Sequence, residues 1–137
     1  MIVSEVPALV LLVDDYPDNR DIYVQFLIYS GLRVEEADNG DQALDKAFTL
    51  RPDVIVMDLS LPGLDGWEAT RRLKQDPRTC DIPVIALTGH ALAGHSERAF
   101  DAGCDAFITK PCLPERLLDE IRAIVPAARS RSGDPTP

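Results

Sequence analysis

The fold of this chain is decided by residues 53–66, which read DVIVMDLSLPGLDG. Four consecutive apolar residues, Val54 to Met57, lie between acidic residues and precede a Pro-Gly turn. A short, continuous apolar run of this kind is typical of a strand that is buried on both faces of a parallel sheet. The run ends at Asp58, so we expect this carboxylate at the sheet edge where α/β proteins bind their ligands.

Four more segments predict strands, and helix-forming patterns alternate with them along the chain. The predicted strands are 8–13, 33–37, 83–88 and 106–109, and the predicted helices begin near Pro17, Asn39, Asp65, Ala91 and Pro114. Five strands that alternate with five helices are typical of a parallel sheet with helices on both faces. Right-handed crossovers between parallel strands allow a doubly wound α/β fold with a strand order such as 2-1-3-4-5, which is the order that we predict.

Apolar residues recur at helical spacing in the first predicted helix. Their spacing assigns the apolar stripe to Ile22, Phe26 and Tyr29, with Tyr23 and Leu27 beside them. We therefore expect this stripe to face the sheet.

Two other predicted helices carry specific local signals. The helix that begins after Asn39 has Gln42 three residues later, a spacing that predicts a capping box. The helix predicted over 91–102 has a thin apolar stripe that Gly94 interrupts. Such a helix is weakly held, and we expect it to be the element that shifts most readily.

Length and composition predict one domain. The chain has 137 residues, of which 45% are hydrophobic, enough for a single core without disulfide support. We predict a folded domain over 1–125 and a disordered tail over 126–137, which is rich in Pro, Ser and Arg. Cys80, Cys104 and Cys112 fit no metal-binding or redox motif, and we assign them no chemistry.

The net charge and the hydropathy of the chain restrict the compartments in which we expect the protein and the molecules that we expect it to bind. The net charge of −9 argues against direct binding to nucleic acid or to anionic membranes, and it favours divalent cations. No apolar run reaches the length of a membrane span, and the N-terminus lacks the features of a signal peptide. We expect a cytoplasmic protein in a reducing compartment.

Polar side chains stand where the predicted strands end. Asp14 and Asp15 follow the first strand, Asp58 ends the third, Thr88 ends the fourth and Lys110 follows the fifth. Any one of them has an ordinary explanation as a turn former, a cap or a surface residue. Their joint position at the carboxyl ends of neighbouring strands predicts a single site.

The residue types in this predicted site suit phosphoryl transfer. Three crowded carboxylates are costly unless a cation or a proton offsets their charge, and Mg²⁺ suits them because it takes oxygen ligands and leaves a place for a phosphate oxygen. Lys110 adds a fixed positive charge, Thr88 adds a hydroxyl donor, and Asp58 is a carboxylate nucleophile. These are the parts needed to hold a transferring phosphoryl group.

The combined motif resembles the receiver domains of two-component response regulators, in particular the CheY-like single-domain regulators. The resemblance covers about residues 8–125 and rests on Asp14-Asp15, Asp58, Thr88-Gly89, Lys110-Pro111 and the stretch 61–66. It implies a flavodoxin-like (βα)5 fold, an aspartyl phosphate and a place in a two-component or phosphorelay system.

The resemblance also implies a role for each acidic residue. Asp58 is the expected phosphoacceptor, which takes a phosphoryl group from a phosphohistidine on a sensor histidine kinase. Asp15 and Asp58 are expected to ligate Mg²⁺ together with the backbone carbonyl of Ser60. Asp14 is expected to act largely through a coordinated water.

The same resemblance implies a switch. Lys110 is expected to pair with a phosphoryl oxygen, and its peptide bond to Pro111 is expected to be cis. Thr88 is expected to move toward the phosphoryl group, and Phe107 to turn into the space that Thr88 vacates. Segment 91–102, the last strand and the last helix are expected to form the face that a partner protein reads.

The leading hypothesis is a signalling switch made of a receiver domain alone, which is not an enzyme except that it catalyses its own phosphorylation and dephosphorylation. No basic DNA-binding domain follows the last helix, so we expect output through a downstream protein target. Two alternatives stay open: a phosphorelay intermediate that passes its phosphoryl group to a histidine phosphotransfer protein, and a fragment of a larger regulator or hybrid kinase. Formation of a homodimer on phosphorylation is also left open as a partner interaction.

The alternative from a different class is an aspartate-nucleophile phosphatase of small phosphoesters. Such enzymes generally carry a second acid two residues after the nucleophile, where this chain has Ser60. A flavin-binding module of the same topology is disfavoured, because the loop after the first strand is acidic rather than rich in Gly, Ser and Thr.

Overall fold

The computed structural model describes residues 7–59, 66–88, 103–110 and 112–125, which form an α/β fold. The strands are β1 (Leu9–Val13), β2 (Arg33–Ala37), β3 (Val54–Asp58), β4 (Val84–Thr88) and β5 (Ala106–Thr109). The helices of these ranges are α1 (Pro17–Tyr29), α2 (Gly40–Leu50), α3 (Gly66–Gln75) and α4 (Pro114–Ile124). The helix predicted over 91–102 and the tail predicted over 126–137 lie outside the described residues.

The five strands form one parallel sheet with the order β2-β1-β3-β4-β5, which confirms the predicted topology. The chain runs from β1 to β2 in one direction along the sheet and then returns past β1 to β3. In open α/β sheets, the crevice at such a reversal lies at the carboxyl ends of the strands and is the usual ligand site. The topology therefore predicts a ligand site at the carboxyl ends of β1 and β3.

Helices cover both faces of the sheet, because successive strand residues point to opposite sides. Val10 and Leu12 of β1 pack on the side of α1 and α4, whereas Leu11 and Val13 pack on the side of α2 and α3. All five residues of β1, β3 and β4 are buried. These three central strands have the continuous apolar character expected when both faces are covered.

Helix α1 buries only part of the set of apolar residues that its spacing predicts. Tyr23, Val24 and Leu27 are buried, whereas Ile22 is 58% exposed and Tyr29 is 88% exposed. The apolar residues of this helix form two neighbouring stripes, so local periodicity does not choose between them. Packing against α4 and the sheet selects the stripe that contains Leu27, and the assignment of Ile22 and Tyr29 to the buried face is wrong.

The predicted cap of α2 is confirmed. The amide of Gln42 donates a hydrogen bond of 2.9 Å to Oδ1 of Asn39, the N-cap residue. In a standard capping box, the returning side chain accepts a hydrogen bond from the amide of the N-cap residue itself. Here Oε1 of Gln42 accepts instead from the amide of Asp38, one residue earlier, at 3.1 Å.

Among the described residues, no helix is long and apolar enough to cross a bilayer.

The three cysteines differ in their exposure. Cys80 is exposed, Cys112 is half-buried and Cys104 is buried, and none of them is in a disulfide. Burial raises the pKa of the Cys104 thiol to about 11. A thiol with this pKa is almost entirely protonated at neutral pH and is a poor nucleophile there.

The two stripes of α1 generate a matched test of stability. Leu27→Ala removes a fully buried side chain and is expected to lower the free energy of unfolding by about 2–5 kcal/mol. Ile22→Ala, at an exposed position of the same helix, is expected to change it by only about 0.5 kcal/mol. Urea denaturation followed by circular dichroism measures both, and equal losses would contradict the observed orientation of α1.

The burial of Cys104 predicts an order of thiol modification. With iodoacetamide at pH 8, Cys80 is expected to be alkylated first and Cys104 last, because Cys104 is shielded and its pKa of about 11 suppresses the thiolate. Raising the pH toward 10 is expected to accelerate modification of Cys104 in the folded protein. Peptide mapping by mass spectrometry gives the order, and early loss of the Cys104 thiol would contradict its burial.

Candidate functional site

Three carboxylates meet at the carboxyl ends of β1 and β3. One oxygen from each of Asp14, Asp15 and Asp58 lies within 4.8 Å of the others. The sheet register causes this proximity: Val13 is paired with Met57, so the residue after Val13 lies beside the residue after Met57. Asp14 is 0% exposed and Asp58 is 4% exposed, whereas Asp15 faces solvent.

The two oxygens of Asp14 have different surroundings. Oδ1 accepts a hydrogen bond of 2.9 Å from the amide of Tyr16, which turns the chain into α1. Oδ2 is buried and has no hydrogen-bond partner in the part of the chain that the structure describes. The Lys110 Nζ is 3.5 Å away, close enough for electrostatic attraction but not placed to donate a hydrogen bond.

Burial raises the pKa of Asp14, and the nearby charge of Asp58 raises it further. The hydrogen bond from Tyr16 and the charge of Lys110 act in the opposite direction but do not offset the burial. The site therefore holds a buried, incompletely compensated carboxylate oxygen. A divalent cation that accepts oxygen ligands would relieve this deficit, so the side chains present fit such an ion.

Lys110 enters the site from the end of β5. Its amide donates a hydrogen bond of 2.7 Å to the carbonyl of Thr88, which extends the pairing of β4 and β5 and orients the side chain. Its Nζ donates to Asp58 Oδ2 at 3.1 Å. Burial lowers the pKa of Lys110, but the charges of Asp58 and Asp14 outweigh burial and the net shift is upward. The ammonium is therefore charged at neutral pH.

Thr88 and Phe107 occupy the strands next to this cluster. Leu87 is paired with Asp58, so Thr88 lies one residue beyond that pair, at the same edge of the sheet, where it is buried. Phe107 is paired with Ala86 and is half-buried against the core on the α2–α3 side. The predicted metal ligand Ser60 and the predicted cis residue Pro111 lie outside the described residues.

Gly66, the first residue of α3, packs against the backbone of the site. A Cβ atom at this position would lie 2.3 Å from the carbonyl oxygen of Asp58 and 2.7 Å from the Cα of Leu59. Only a glycine lets the helix approach the strand end this closely. From the sequence, Gly66 is predicted only to lie at the start of a helix. A glycine at such a position also indicates that another segment of backbone can approach the helix closely.

Sequence reasoning missed two contacts from α1. Arg20 Nη1 donates to the carbonyl of Asp14 at 2.6 Å, and its Nε donates to Glu36 Oε1 at 2.8 Å. The hydroxyl of Tyr23 donates to the carbonyl of Cys112 at 2.8 Å, and burial raises the pKa of this phenol so that it stays protonated. The Asp14 and Cys112 acceptors are backbone atoms, which leave no pattern in the sequence.

Comparison with known proteins places this arrangement among signalling domains. Residues 10–122 match the sequence profile of the response regulator receiver domain. The chain is 38% identical over 117 residues to the polar-differentiation response regulator DivK of Brucella anthropi, a match that covers 85% of this chain and 95% of DivK. It is 37% identical over 116 residues to RpaA of Synechocystis, a DNA-binding dual master transcriptional regulator, of which the match covers 48%.

A solved structure shows the same fold with a metal. The receiver domain of the sensor histidine kinase PA1611 from Pseudomonas aeruginosa is 34% identical to this chain and has a TM-score of 0.81, covering 87% of this chain and 98% of that domain. That structure holds a magnesium ion coordinated in its active-site cleft.

The contact of Gly66 with the end of β3 predicts the sign of a stability change. Helix propensity alone favours alanine by up to about 1 kcal/mol, but the new Cβ would meet backbone atoms that cannot move independently. Gly66→Ala is therefore expected to lower the free energy of unfolding by about 1–3 kcal/mol or more. Urea denaturation measures it, with Arg71→Ala on the exposed side of α3 as the control. A stabilised Gly66→Ala variant would contradict the observed packing.

Proposed function

This chain belongs to the response regulator receiver domains of two-component systems, and we propose that it is a signalling switch whose phosphoacceptor is Asp58. The proposal rests on the position of Asp58, which lies beside the carboxylates of Asp14 and Asp15, a pair able to bind a cation, and beside the ammonium group of Lys110. One oxygen of Asp58 lies within 4.8 Å of one oxygen of Asp14 and one of Asp15, and Lys110 Nζ lies 3.1 Å from Asp58 Oδ2.

We assign Mg²⁺ to the carboxylate cluster. Asp15 and Asp58 would ligate it together with the backbone carbonyl of Ser60, and Asp14 would contribute through a coordinated water. The buried Asp14 Oδ2 without a hydrogen bond and an all-oxygen donor set support this assignment. Bound there, the ion would offset the negative charge on the oxygens of the incoming phosphoryl group.

Asp58 acts as the nucleophile in the proposed reaction. A carboxylate oxygen forms a bond to phosphorus while the bond from phosphorus to the donor histidine nitrogen breaks, and the electron pair of that bond leaves with the imidazole. Lys110 then exchanges its contact with Asp58 for one with a phosphoryl oxygen, and the Thr88 hydroxyl donates to another. The only reactions catalysed by the chain are its own phosphorylation and later hydrolysis, which distinguishes it from an enzyme with a separate substrate.

The added charge provides the switch. A phosphoryl group brings about −1.5 to −2 charge at neutral pH, so conformations in which Thr88 and Lys110 contact it become more populated. Thr88 is buried at the end of β4, so its movement toward the phosphoryl group frees space, which Phe107 fills from the neighbouring strand. The exposed surface along β5 and α4 then changes shape and, together with segment 91–102, is the proposed recognition face.

We propose a sensor histidine kinase or a histidine phosphotransfer protein as the phosphoryl donor and a downstream protein as the target. The net charge of −9 disfavours direct nucleic-acid contact by this domain. A cytoplasmic location is proposed because phosphohistidine donors are made there from ATP. Residues 1–125 are proposed as the receiver unit.

The central test is Mg²⁺-dependent phosphorylation by acetyl phosphate, read by intact mass. Wild type is expected to gain one phosphoryl group only when Mg²⁺ is present, and Asp58→Asn is expected to gain none, since an amide is not a nucleophile toward phosphorus. Asp119→Asn, at an exposed position of α4, makes the same chemical change away from the site and is expected to behave like wild type.

Two results would contradict the proposal. An adduct that persists in Asp58→Asn would place the phosphoacceptor elsewhere. Steady release of phosphate from acetyl phosphate without an accumulating adduct would support a phosphatase instead of a switch.

A further inference from the structure

Helix α1 contacts the backbone on both sides of the carboxylate–lysine site. Its Arg20 reaches the acidic side, where Nη1 donates to the carbonyl of Asp14 at 2.6 Å. The same guanidinium donates through Nε to Glu36 of β2 at 2.8 Å, and only 15% of its side chain is exposed. Arg20 therefore ties the turn that carries Asp14 and Asp15 to a neighbouring strand.

The second contact lies one helical turn further along α1. Tyr23 is buried, and its hydroxyl donates to the carbonyl of Cys112 at 2.8 Å across a sequence separation of 89 residues. Cys112 stands two residues after Lys110, so this bond anchors the segment that carries the lysine. Residues three apart in a helix lie on the same side, which allows one helix to make both contacts.

We propose that α1 is a clamp in which Arg20 positions the carboxylates for the metal and Tyr23 positions Lys110 for the phosphoryl group. Both are positioning residues: neither touches the metal or the reacting atoms, and each acts through a backbone carbonyl. The inference rests on the proposed function, since it assigns separate tasks within that same site.

Electrostatics explains why such a clamp is needed. Mutual repulsion of the three carboxylates favours separation of the ends of β1 and β3, whereas Lys110 is attracted to both Asp14 and Asp58. Side chains held on short turns adjust to such forces unless their backbone is fixed. Removing Arg20 frees the acidic turn, and removing the Tyr23 hydroxyl frees the lysine segment.

The two halves of the clamp predict different defects. Arg20→Met is expected to weaken Mg²⁺ binding about tenfold, the lower range for loss of a residue that orients metal ligands, while the phosphorylation rate at saturating Mg²⁺ stays near that of wild type. Tyr23→Phe is expected to leave Mg²⁺ affinity unchanged and to lower that rate roughly two- to tenfold, as for loss of one neutral hydrogen bond.

The measurement uses the full 137-residue chain. Calorimetric titration with Mg²⁺ alone gives the dissociation constant, and intact mass over time with acetyl phosphate at saturating Mg²⁺ gives the rate. Arg33→Met is the control for Arg20, because Arg33 donates to the carbonyl of Pro7 at 2.9 Å, at the other end of the sheet. Tyr29→Phe, at an exposed position of α1, is the control for Tyr23. Both controls are expected to match wild type.

Circular dichroism and urea denaturation verify that each variant is folded. If Arg20→Met does not fold, Arg20→Lys replaces it. The one nitrogen of the lysine ammonium replaces the two separate nitrogens, Nη1 and Nε, that the guanidinium directs at the Asp14 carbonyl and at Glu36, so weaker Mg²⁺ binding is again expected. Wild-type affinity in the folded Arg20 variant, or a wild-type rate in Tyr23→Phe, would overturn the clamp.

The same data separate failure of the clamp from failure of the proposed function. A wild-type chain that neither binds Mg²⁺ nor forms an adduct would overturn both. A wild-type chain that does both, with variants that differ only in stability, would overturn the clamp and leave the phosphorylation switch intact.

Discussion

The repulsion between three carboxylates at one edge of the sheet is the constraint around which this structure is arranged. Asp14, Asp15 and Asp58 bring oxygens within 4.8 Å of one another, and two of the three residues are almost fully buried. Such a cluster opposes folding unless positive charge compensates it. Lys110 compensates it in part, through one hydrogen bond to Asp58 and a longer contact with Asp14. The remaining deficit of positive charge suits a small, hard cation with oxygen ligands.

The rest of the fold keeps this cluster in place. The central strands are buried on both faces, so the ends of β1 and β3 cannot separate without disturbing both halves of the core. Gly66 lets α3 pack directly on the end of β3, and α1 contacts the backbone on both sides of the site. The packing of the surrounding strands and helices thus holds the carboxylates close together, although their mutual repulsion is unfavourable.

The comparisons separate the function of the domain from that of the proteins that contain it. The match covers 95% of DivK but 48% of RpaA, so the same unit occurs in chains of different length. The site chemistry belongs to the unit, whereas the output depends on the surfaces and domains attached to it.

The sequence by itself determined the alternation of strands and helices and the meeting of the charged residues at the strand ends. Asp58 ends an apolar strand, and polar residues end the neighbouring strands. Chain order and right-handed crossovers are enough to bring these strand ends to one edge of the sheet, where the polar residues form a site. Tertiary structure decided the orientation of α1 and the acceptors of Arg20 and Tyr23. Helical periodicity allowed two apolar stripes, and the hydroxyl of Tyr23 meets a carbonyl 89 residues away. Every residue has such a carbonyl, so only packing of the folded chain determines which one is contacted.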